Sequence, residues 1–184
     1  MIINTFISFL GKIEIIVNDG FLIYCNWESS DCESKKKVIL SKALPSTKIE
    51  EDKKLMEAVI QQLDEYFRGN LNEFHIPVKL SGTKFQIKVW EELKKISYGT
   101  LITYGELARK CGYDKAYRAV ARACGQNPVS IIFPCHRIIG ANNTLGGYTG
   151  GIEKKKGLLN IENQKKILNI ILKKDKNGKI DLAE

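Results

Sequence analysis

The apolar residues at the start of the chain follow the short period of β-strands. They dominate residues 6–10, 12–17 and 21–27, and Asn18-Asp19-Gly20 separates the last two runs. An Asp-Gly pair between β-rich runs is a strong signal for a hairpin. We therefore predict an antiparallel sheet, led by a hairpin, at the beginning of the fold.

A polar stretch and then a helical pattern follow. Residues 28–46 are polar and rich in lysine, and we interpret them as a loop with a short strand over 37–40. Thr47 and Glu50 have the spacing of a capping box, which predicts the start of a helix, and Gly69 supplies its stop. The apolar stripe of this helix recurs every four residues, at Leu55, Val59, Leu63 and Phe67.

The second half is predominantly helical. Thr83 and Gln86 repeat the capping-box spacing ahead of one helix, and shorter helices are predicted over 105–111 and 114–124, around Gly112. Two short helices about a glycine turn resemble a helix-turn-helix, whose second helix normally enters a DNA groove. The same spacing is common in ordinary helical proteins, so by itself it is weak support for DNA binding.

Composition limits the class of protein. The 184 residues are 43 % hydrophobic and 27 % charged, which suits a soluble protein of one compact domain or two small ones. No apolar run approaches the ~18–20 residues that a membrane span requires. Five cysteines without metal-ligand pairing, in a chain without a secretory signal, favour the reducing cytoplasm, or the nucleus in a eukaryote.

The positive charge is confined to one half of the chain. The net charge is +8 overall, −2 over residues 1–81 and +10 over residues 82–184. An anionic partner, most simply nucleic acid, would explain this asymmetry, and a merely basic, solvated surface explains it equally well. We assign the lysine runs at 35–37 and 154–156 to solvated surface.

One cysteine lies in a chemically suggestive setting. The apolar run Val129–Phe133, predicted as a buried strand, leads into Pro134, Cys135, His136 and Arg137. A thiol attacks carbon as its thiolate, and a reference pKa of about 8.5 leaves little thiolate at neutral pH. A neighbouring base and a positive charge would shift that balance. A bare Cys-His pair is nevertheless more often a buried cysteine beside a surface histidine.

The order of motifs in the second half resembles that of O6-alkylguanine-DNA alkyltransferases, also called methylated-DNA–protein-cysteine methyltransferases. The resemblance covers about residues 80–162, and the first half is similar only in its hairpin and its length. The matching motifs are Gly82-Thr83-Lys84-Phe85-Gln86, Val89-Trp90, Tyr98-Gly99, Thr103-Tyr104-Gly105-Glu106-Leu107-Ala108, Arg118-Ala119-Val120, Asn127-Pro128, Pro134-Cys135-His136-Arg137-Ile138-Ile139, Gly147-Tyr148-Thr149-Gly150-Gly151 and Leu158-Leu159.

The resemblance implies an α+β protein of two domains. Residues 1–80 would form an N-terminal α/β domain, with a hairpin-led antiparallel sheet plus a helix. Residues 81–184 would form a mainly helical, winged helix-turn-helix-like domain that carries the active site, with a helical tail over 163–184.

The implied activity is direct-reversal DNA repair. The alkyl group of O6-alkylguanine, and also of O4-methylthymine, would pass irreversibly to Cys135, so that each molecule acts once. The expected partner is double-stranded DNA containing alkylated bases, with no membrane association. We expect no cofactor and no metal. We expect a monomer, with clustering of molecules along DNA left open.

Each catalytic role is implied by the same resemblance. Cys135 would accept the alkyl group, and His136 would act as its base through a bridging water. Glu162 would orient His136, Tyr104 would support proton transfer at the base, and Asn127 would brace the turn.

The resemblance also implies how DNA is held. Arg118 would fill the stack vacated by a nucleotide flipped through the minor groove, and Tyr117 is bulkier than the small residue common beside it in the family. Arg109, Lys110, Lys115 and Arg122 would contact phosphates. The other residues implied in DNA binding are Thr103, Tyr104, Gly105, Ala116, Ala119, Arg137, Tyr148 and Thr149.

Two other functions stay open from the sequence. A non-catalytic relative that binds lesions and recruits repair proteins would lack the acceptor cysteine, so Cys135 disfavours it. A cysteine hydrolase would need turnover and an oxyanion hole, and it would leave Arg118 and the helix-turn-helix unexplained.

Overall fold

A three-stranded antiparallel sheet, in the order β1-β2-β3, organises the N-terminal half of the computed structural model, which describes residues 1–141 and 144–162. Asp19 and Gly20 join β2 to β3 with φ angles of 56° and 78°, the positive values that a tight hairpin turn requires. The hairpin prediction is confirmed, whereas the tail predicted over 163–184 lies outside the described residues. The strands are β1 (Ile2–Ser8), β2 (Gly11–Asn18) and β3 (Phe21–Trp27).

Helix α1 (Ser30–Leu40) occupies the segment expected to be a loop with a short strand, so that prediction is wrong. The helix buries Cys32 and packs its C-terminal residues Ile39 and Leu40 on the outer face of the sheet. Few of its residues are apolar, and its stability therefore depends on contacts with a sheet that is distant in sequence.

Helix α2 (Ile49–Phe67) crosses the opposite face of the sheet and confirms the predicted apolar period. Its start differs from the prediction, because Lys48 is the N-cap and no side chain caps the helix. The hydroxyl of Thr47 instead donates to the Asp19 carboxylate, 3.3 Å away, and so ties the helix to the hairpin turn.

The described part of the C-terminal half contains four helices. The capping box of Thr83 and Gln86 is present, with both reciprocal bonds, as predicted. Gly112, at φ +79°, turns the chain between α4 and α5, and the second of these begins at Tyr117 rather than Asp114. The helices are α3 (Lys84–Lys94), α4 (Tyr104–Lys110), α5 (Tyr117–Gly125) and α6 (Ile152–Ile161).

A short parallel ladder connects the helix-turn-helix to the cysteine motif. Strand β4 (Ile102–Thr103), which leads into α4, pairs with β5 (Ile138–Ile139), which leaves the cysteine turn. The segment that presents Cys135 and the helix-turn-helix are therefore held in fixed register by backbone hydrogen bonds.

The apolar run over 129–133 is buried as expected, but it is a turn rather than a strand. The Phe133 amide donates to the Val129 carbonyl at 3.0 Å, and Ile131 has a φ of +73°. A β-branched residue rarely adopts this left-handed conformation, which costs on the order of 1–3 kcal/mol. Surrounding contacts must therefore hold the turn.

The free edge of β3 supplies some of those contacts. The Cys25 amide donates to the Pro128 carbonyl at 3.0 Å, and the Ser130 amide donates to the Cys25 carbonyl at 2.7 Å. The Asn26 side-chain amide also donates to the carbonyls of Asn127 and Pro128. The sheet of the N-terminal half thus extends directly into the segment that precedes Cys135.

One hydrophobic cluster runs through both halves. Residues from the sheet and α2 pack in the same cluster as residues from α3, α4 and α5. Within residues 1–141 and 144–162, none of the helices combines the length and the apolar character that crossing a bilayer requires.

The contact between Gly150 and Trp27 gives a test of this shared core. A Cβ at Gly150 would lie 2.2 Å from the buried Trp27 ring, whereas one at Gly147 would meet nothing within 4 Å. We expect Gly150→Ala to lower the free energy of unfolding by about 1–3 kcal/mol through overpacking. Gly147→Ala is the matched control, and we expect it to be neutral or slightly stabilising. Urea unfolding compares the two, and equal stabilities would contradict the packing.

Candidate active site

Cys135 begins a single turn of 3-10 helix, Cys135–Arg137, that the preceding proline introduces. The Cys135 amide donates to the Phe133 carbonyl at 2.8 Å. The side chain of Asn127 bridges the turn, because it donates to the same carbonyl at 2.8 Å and accepts from the Val129 amide at 3.0 Å. Asn127 therefore lies where the sequence predicted a brace.

The carboxylate of Glu162, at the end of α6, accepts hydrogen bonds from four residues in three parts of the fold. It accepts from His136 Nε2 at 2.8 Å and from the hydroxyl of Tyr66 at 2.8 Å. Arg137 donates Nε and Nη2 to it, and the Gly99 amide donates at 3.1 Å. The structure thus brings Glu162 against His136, the residue that follows Cys135 in the turn, and adds Tyr66, which the sequence did not indicate.

The protonation states of this network follow from burial and charge. Burial alone would raise the pKa of Glu162, but hydrogen bonds and positive charge from His136 and Arg137 outweigh it and hold that pKa well below its usual range. Burial lowers the pKa of His136. At neutral pH the pair is a carboxylate and a neutral imidazole that donates through Nε2. Its other nitrogen, Nδ1, is buried without a hydrogen-bond partner among the described residues.

The thiol of Cys135 is not shifted towards its thiolate, although we expected from the sequence that a neighbouring base and a positive charge would cause that shift. Burial raises the pKa of the Cys135 thiol, and this outweighs the lowering by Asn127, Lys155, Lys35 and Ser130. The favoured resting form is therefore the thiol, and its proton has to leave during the reaction.

Cys135 lies in the wall of a cavity of about 540 Å³, which we call the Cys135 cavity. This volume is within the range of small-molecule sites. Tyr104, at the start of α4, and Tyr148 line it, and burial raises the pKa of both hydroxyls, which keeps them protonated. Thr149 also lines the cavity and donates its hydroxyl to the Gly125 carbonyl at 3.0 Å.

Two lysines that we assigned to solvated surface turn their ammonium groups inward instead: Lys155 is a buried residue, whereas Lys35 is partly exposed and buries its Nζ atom. Lys155 is fully buried, donates Nζ to the carbonyls of Ile138 and Leu145, and has its pKa lowered by burial to about 8. Lys35, from α1, lines the Cys135 cavity. Inward-facing lysines within a run of lysines cannot be identified from the sequence, because the spacing does not show which member of the run faces the protein interior.

The predicted DNA-binding residues divide into an exposed group and a group that is partly or fully buried. Arg118 and Ala119 are exposed on α5, Ala116 precedes it, and the Arg118 guanidinium lies 5.6 Å from the centre of the Tyr117 ring. The other basic side chains of the helix-turn-helix are also exposed, at Arg109, Lys110, Lys115 and Arg122.

Thr103 and Arg137 have structural partners. Thr103 is the N-cap of α4 and shares a capping box with Glu106, one residue before Tyr104 and two before Gly105. Arg137 is 5 % exposed, and its third nitrogen, Nη1, donates to the Ile96 carbonyl. The DNA contact predicted for Arg137 does not fit this position, since every guanidinium nitrogen already has a protein acceptor.

Removing the negative charge of Glu162 tests the network. Glu162→Gln leaves the buried Arg137 without its counter-ion, and we expect a loss of about 3–5 kcal/mol in the free energy of unfolding. Because the folded pKa is lowered, this contribution is complete above about pH 5 and is lost progressively at lower pH. Urea unfolding at pH 7 and pH 3 should therefore show a larger difference from the wild type at pH 7.

Glu153→Gln is the matched control, since Glu153 pairs with Lys156 at the surface and is 80 % exposed. We expect it to change stability by less than about 0.5 kcal/mol. Equal effects of the two variants would contradict the assigned role of Glu162.

Comparisons with known proteins agree with this geometry. Residues 1–80 match the family described as "6-O-methylguanine DNA methyltransferase, ribonuclease-like domain". Residues 84–164 match "6-O-methylguanine DNA methyltransferase, DNA binding domain". The chain is 41 % identical over 157 residues to a methylated-DNA–protein-cysteine methyltransferase of Methanosarcina acetivorans, covering 85 % of this chain and 95 % of that protein.

Solved structures give the same result for the fold. An O6-methylguanine methyltransferase of Mycobacterium tuberculosis superposes with a TM-score of 0.73 and 35 % identity, over 88 % of this chain and 92 % of that one. A second structure, of "Mycobacterium tuberculosis OGT in complex with DNA", has a TM-score of 0.72 and 35 % identity over 87 % of this chain and 91 % of that one. These matches confirm the predicted fold class, and the chain belongs to the family of methylated-DNA–protein-cysteine methyltransferases.

Proposed function

We propose that this protein repairs DNA by moving the alkyl group of O6-alkylguanine to the sulfur of Cys135. Membership of the family gives the reaction class, a methyltransferase whose acceptor is its own cysteine. The observation that carries the assignment to Cys135 is its position in the wall of a cavity, next to a buried His136–Glu162 pair. Each molecule acts once, because the carbon–sulfur bond of the thioether that forms is stable to hydrolysis.

The proposed chemistry uses the protonation states of the site. The sulfur attacks the alkyl carbon, the carbon–O6 bond breaks, and its electron pair moves into the purine. The thiol proton passes through a bridging water to Nδ1 of His136, which Glu162 stabilises as an imidazolium ion. Tyr104 keeps its hydroxyl proton and donates a hydrogen bond to the purine, which leaves as an anion. The purine anion then takes a proton from water, and the His136 imidazolium returns the thiol proton to water, so that the proton lost by the thiol is balanced by the one that the purine gains.

The flipping of the target nucleotide is part of the proposal, because a base within a duplex cannot reach a sulfur in the wall of a cavity. The exposed α5 would enter the minor groove, with Ala116 and Ala119 allowing close approach and Arg118 filling the vacated stack. Tyr148 and Thr149 would border the flipped base. The basic residues around α5 would contact phosphates, so affinity would fall with salt.

The remaining assignments are also proposals. The partner is double-stranded DNA with alkylated bases, which places the protein in the cytoplasm or the nucleus, and the working form is a monomer. O4-methylthymine is a second substrate. The chain divides into domains at 1–80 and 81–184.

A labelled substrate tests the acceptor. Incubation with a duplex that carries radiolabelled O6-methylguanine should leave one label per protein molecule, on the peptide that contains Cys135. We expect Cys135→Ala to accept none. Cys124→Ala is the matched control, because Cys124 lines the same cavity, and it should still be labelled at Cys135. Label released as methanol, or retained by Cys135→Ala, would show that the proposed mechanism is wrong.

Arg118→Ala tests base flipping. We expect it to slow the reaction with a duplex at saturating DNA by about a hundredfold, because the unpaired, unstacked state loses its support. The reaction with a free O6-substituted guanine base should be unchanged, since no flipping is needed. Arg109→Ala, which removes an exposed charge from the same motif, should weaken binding without slowing the saturated rate. Equal rate losses on both substrates would show that Arg118 does not act by filling the vacated stack.

A further inference from the structure

Lys35 brings a buried ammonium group from the N-terminal half of the protein to the wall of the Cys135 cavity. Asp31 and Lys35 are one helical turn apart on α1 and line the cavity together with Cys135 and Tyr104. The Nζ atom of Lys35 is buried and has no hydrogen-bond partner among the described residues. A buried ammonium group with unused donors is costly, so its position in the wall of the same cavity as Cys135 calls for a functional explanation.

Two other lysines, Lys36 and Lys155, have acceptors for their ammonium groups and serve as a comparison for Lys35. Lys36 Nζ lies 2.7 Å from Glu14 and 3.3 Å from Glu33, and so its charge is neutralised. Lys155 Nζ is held by the backbone carbonyls of Ile138 and Leu145. Of these three lysines, Lys35 alone has no such acceptor in the described part of the chain, and its donors point to an acceptor that arrives or develops in the cavity.

The charge of Lys35 and the charge of the sulfur influence each other. Burial lowers the pKa of Lys35, while Cys32, Cys135 and Asp31 raise it. In the reverse direction, Lys35 is one of the groups that lower the pKa of Cys135 against the effect of burial. The titratable groups that face these two from the surrounding elements are Asp31, Cys32, Tyr104, Cys124, Tyr148 and Lys155.

We propose that the Lys35 ammonium group stabilises the negative charge that forms on the Cys135 sulfur and passes to the leaving purine. This inference rests on the proposed function. The thiol and the alkylated purine are both neutral before reaction. As the sulfur–carbon bond forms and the carbon–O6 bond breaks, the thiol proton moves towards His136 and negative charge spreads from sulfur to purine. The attraction of Lys35 for that charge exists mainly in the transition state, and therefore lowers the barrier.

Alkylation rates across pH, with three variants, test this role. The substrates are free O6-benzylguanine, which has no phosphate, and a duplex that carries O6-methylguanine. Intact-protein mass spectrometry follows the alkylation of Cys135. We expect Lys35→Met to slow both reactions by about tenfold at pH 7, the effect of removing one charge at partly screened range. Its rate profile should move to higher pH, since the thiol loses a neighbouring cation.

Lys35→Arg and Lys37→Met complete the test. Arginine keeps the positive charge, so Lys35→Arg should recover most of the rate at pH 7. Lys37 is exposed on the same helix, and Lys37→Met should leave both rates and the pH profile unchanged. If Lys35→Met does not fold, Lys35→Gln removes the same charge with a polar side chain.

Three results would overturn the inference. A loss confined to the duplex would assign Lys35 to the phosphate backbone, and a rate loss without a displaced pH profile would assign it to folding. An equally slow alkylation rate for Lys37→Met would show that the loss comes from the lower net charge of the protein and not from the position of Lys35. Failure of the wild type to take up methyl from the duplex on Cys135 would instead overturn the proposed function, before any variant is compared.

Discussion

The active site depends on the hydrogen bonds that the buried carboxylate of Glu162 accepts. It accepts hydrogen bonds from Tyr66 on α2, from His136 and Arg137 in the cysteine turn, and from the Gly99 backbone ahead of β4. One buried negative charge therefore joins both halves of the protein at the base of the reactive turn. Burying that charge is tolerable only because every donor around it is satisfied at once.

This arrangement explains why the resting sulfur does not need to be an anion. Burial disfavours charge on the thiol and on His136 alike, and Glu162 places a fixed negative charge against His136. The imidazole can accept a proton when that carboxylate compensates the resulting cation. The proton thus passes from Cys135 to His136 in a site where the stabilising charge of Glu162 is in place before the reaction.

The sequence predicted those parts of the fold that local chemistry determines. The turn at Asp19 and Gly20 and the capping box at Thr83 depend on residues close together in the chain, and both are present. Helix α1 was missed because its stability comes from packing on a distant sheet. Tyr66 and Lys35 were missed for the same reason, since only the folded chain shows that both point towards the cysteine turn.

The left-handed backbone at Ile131 has a consequence for how the two halves depend on each other. A turn in this conformation relaxes unless its surroundings impose it, and the edge of β3 provides part of that constraint through Cys25 and Asn26. The sheet therefore fixes the conformation of a loop that lies more than a hundred residues later in the chain. Without the N-terminal sheet, the helical half would still contain Cys135, but the turn that orients its side chain would lose these supporting hydrogen bonds.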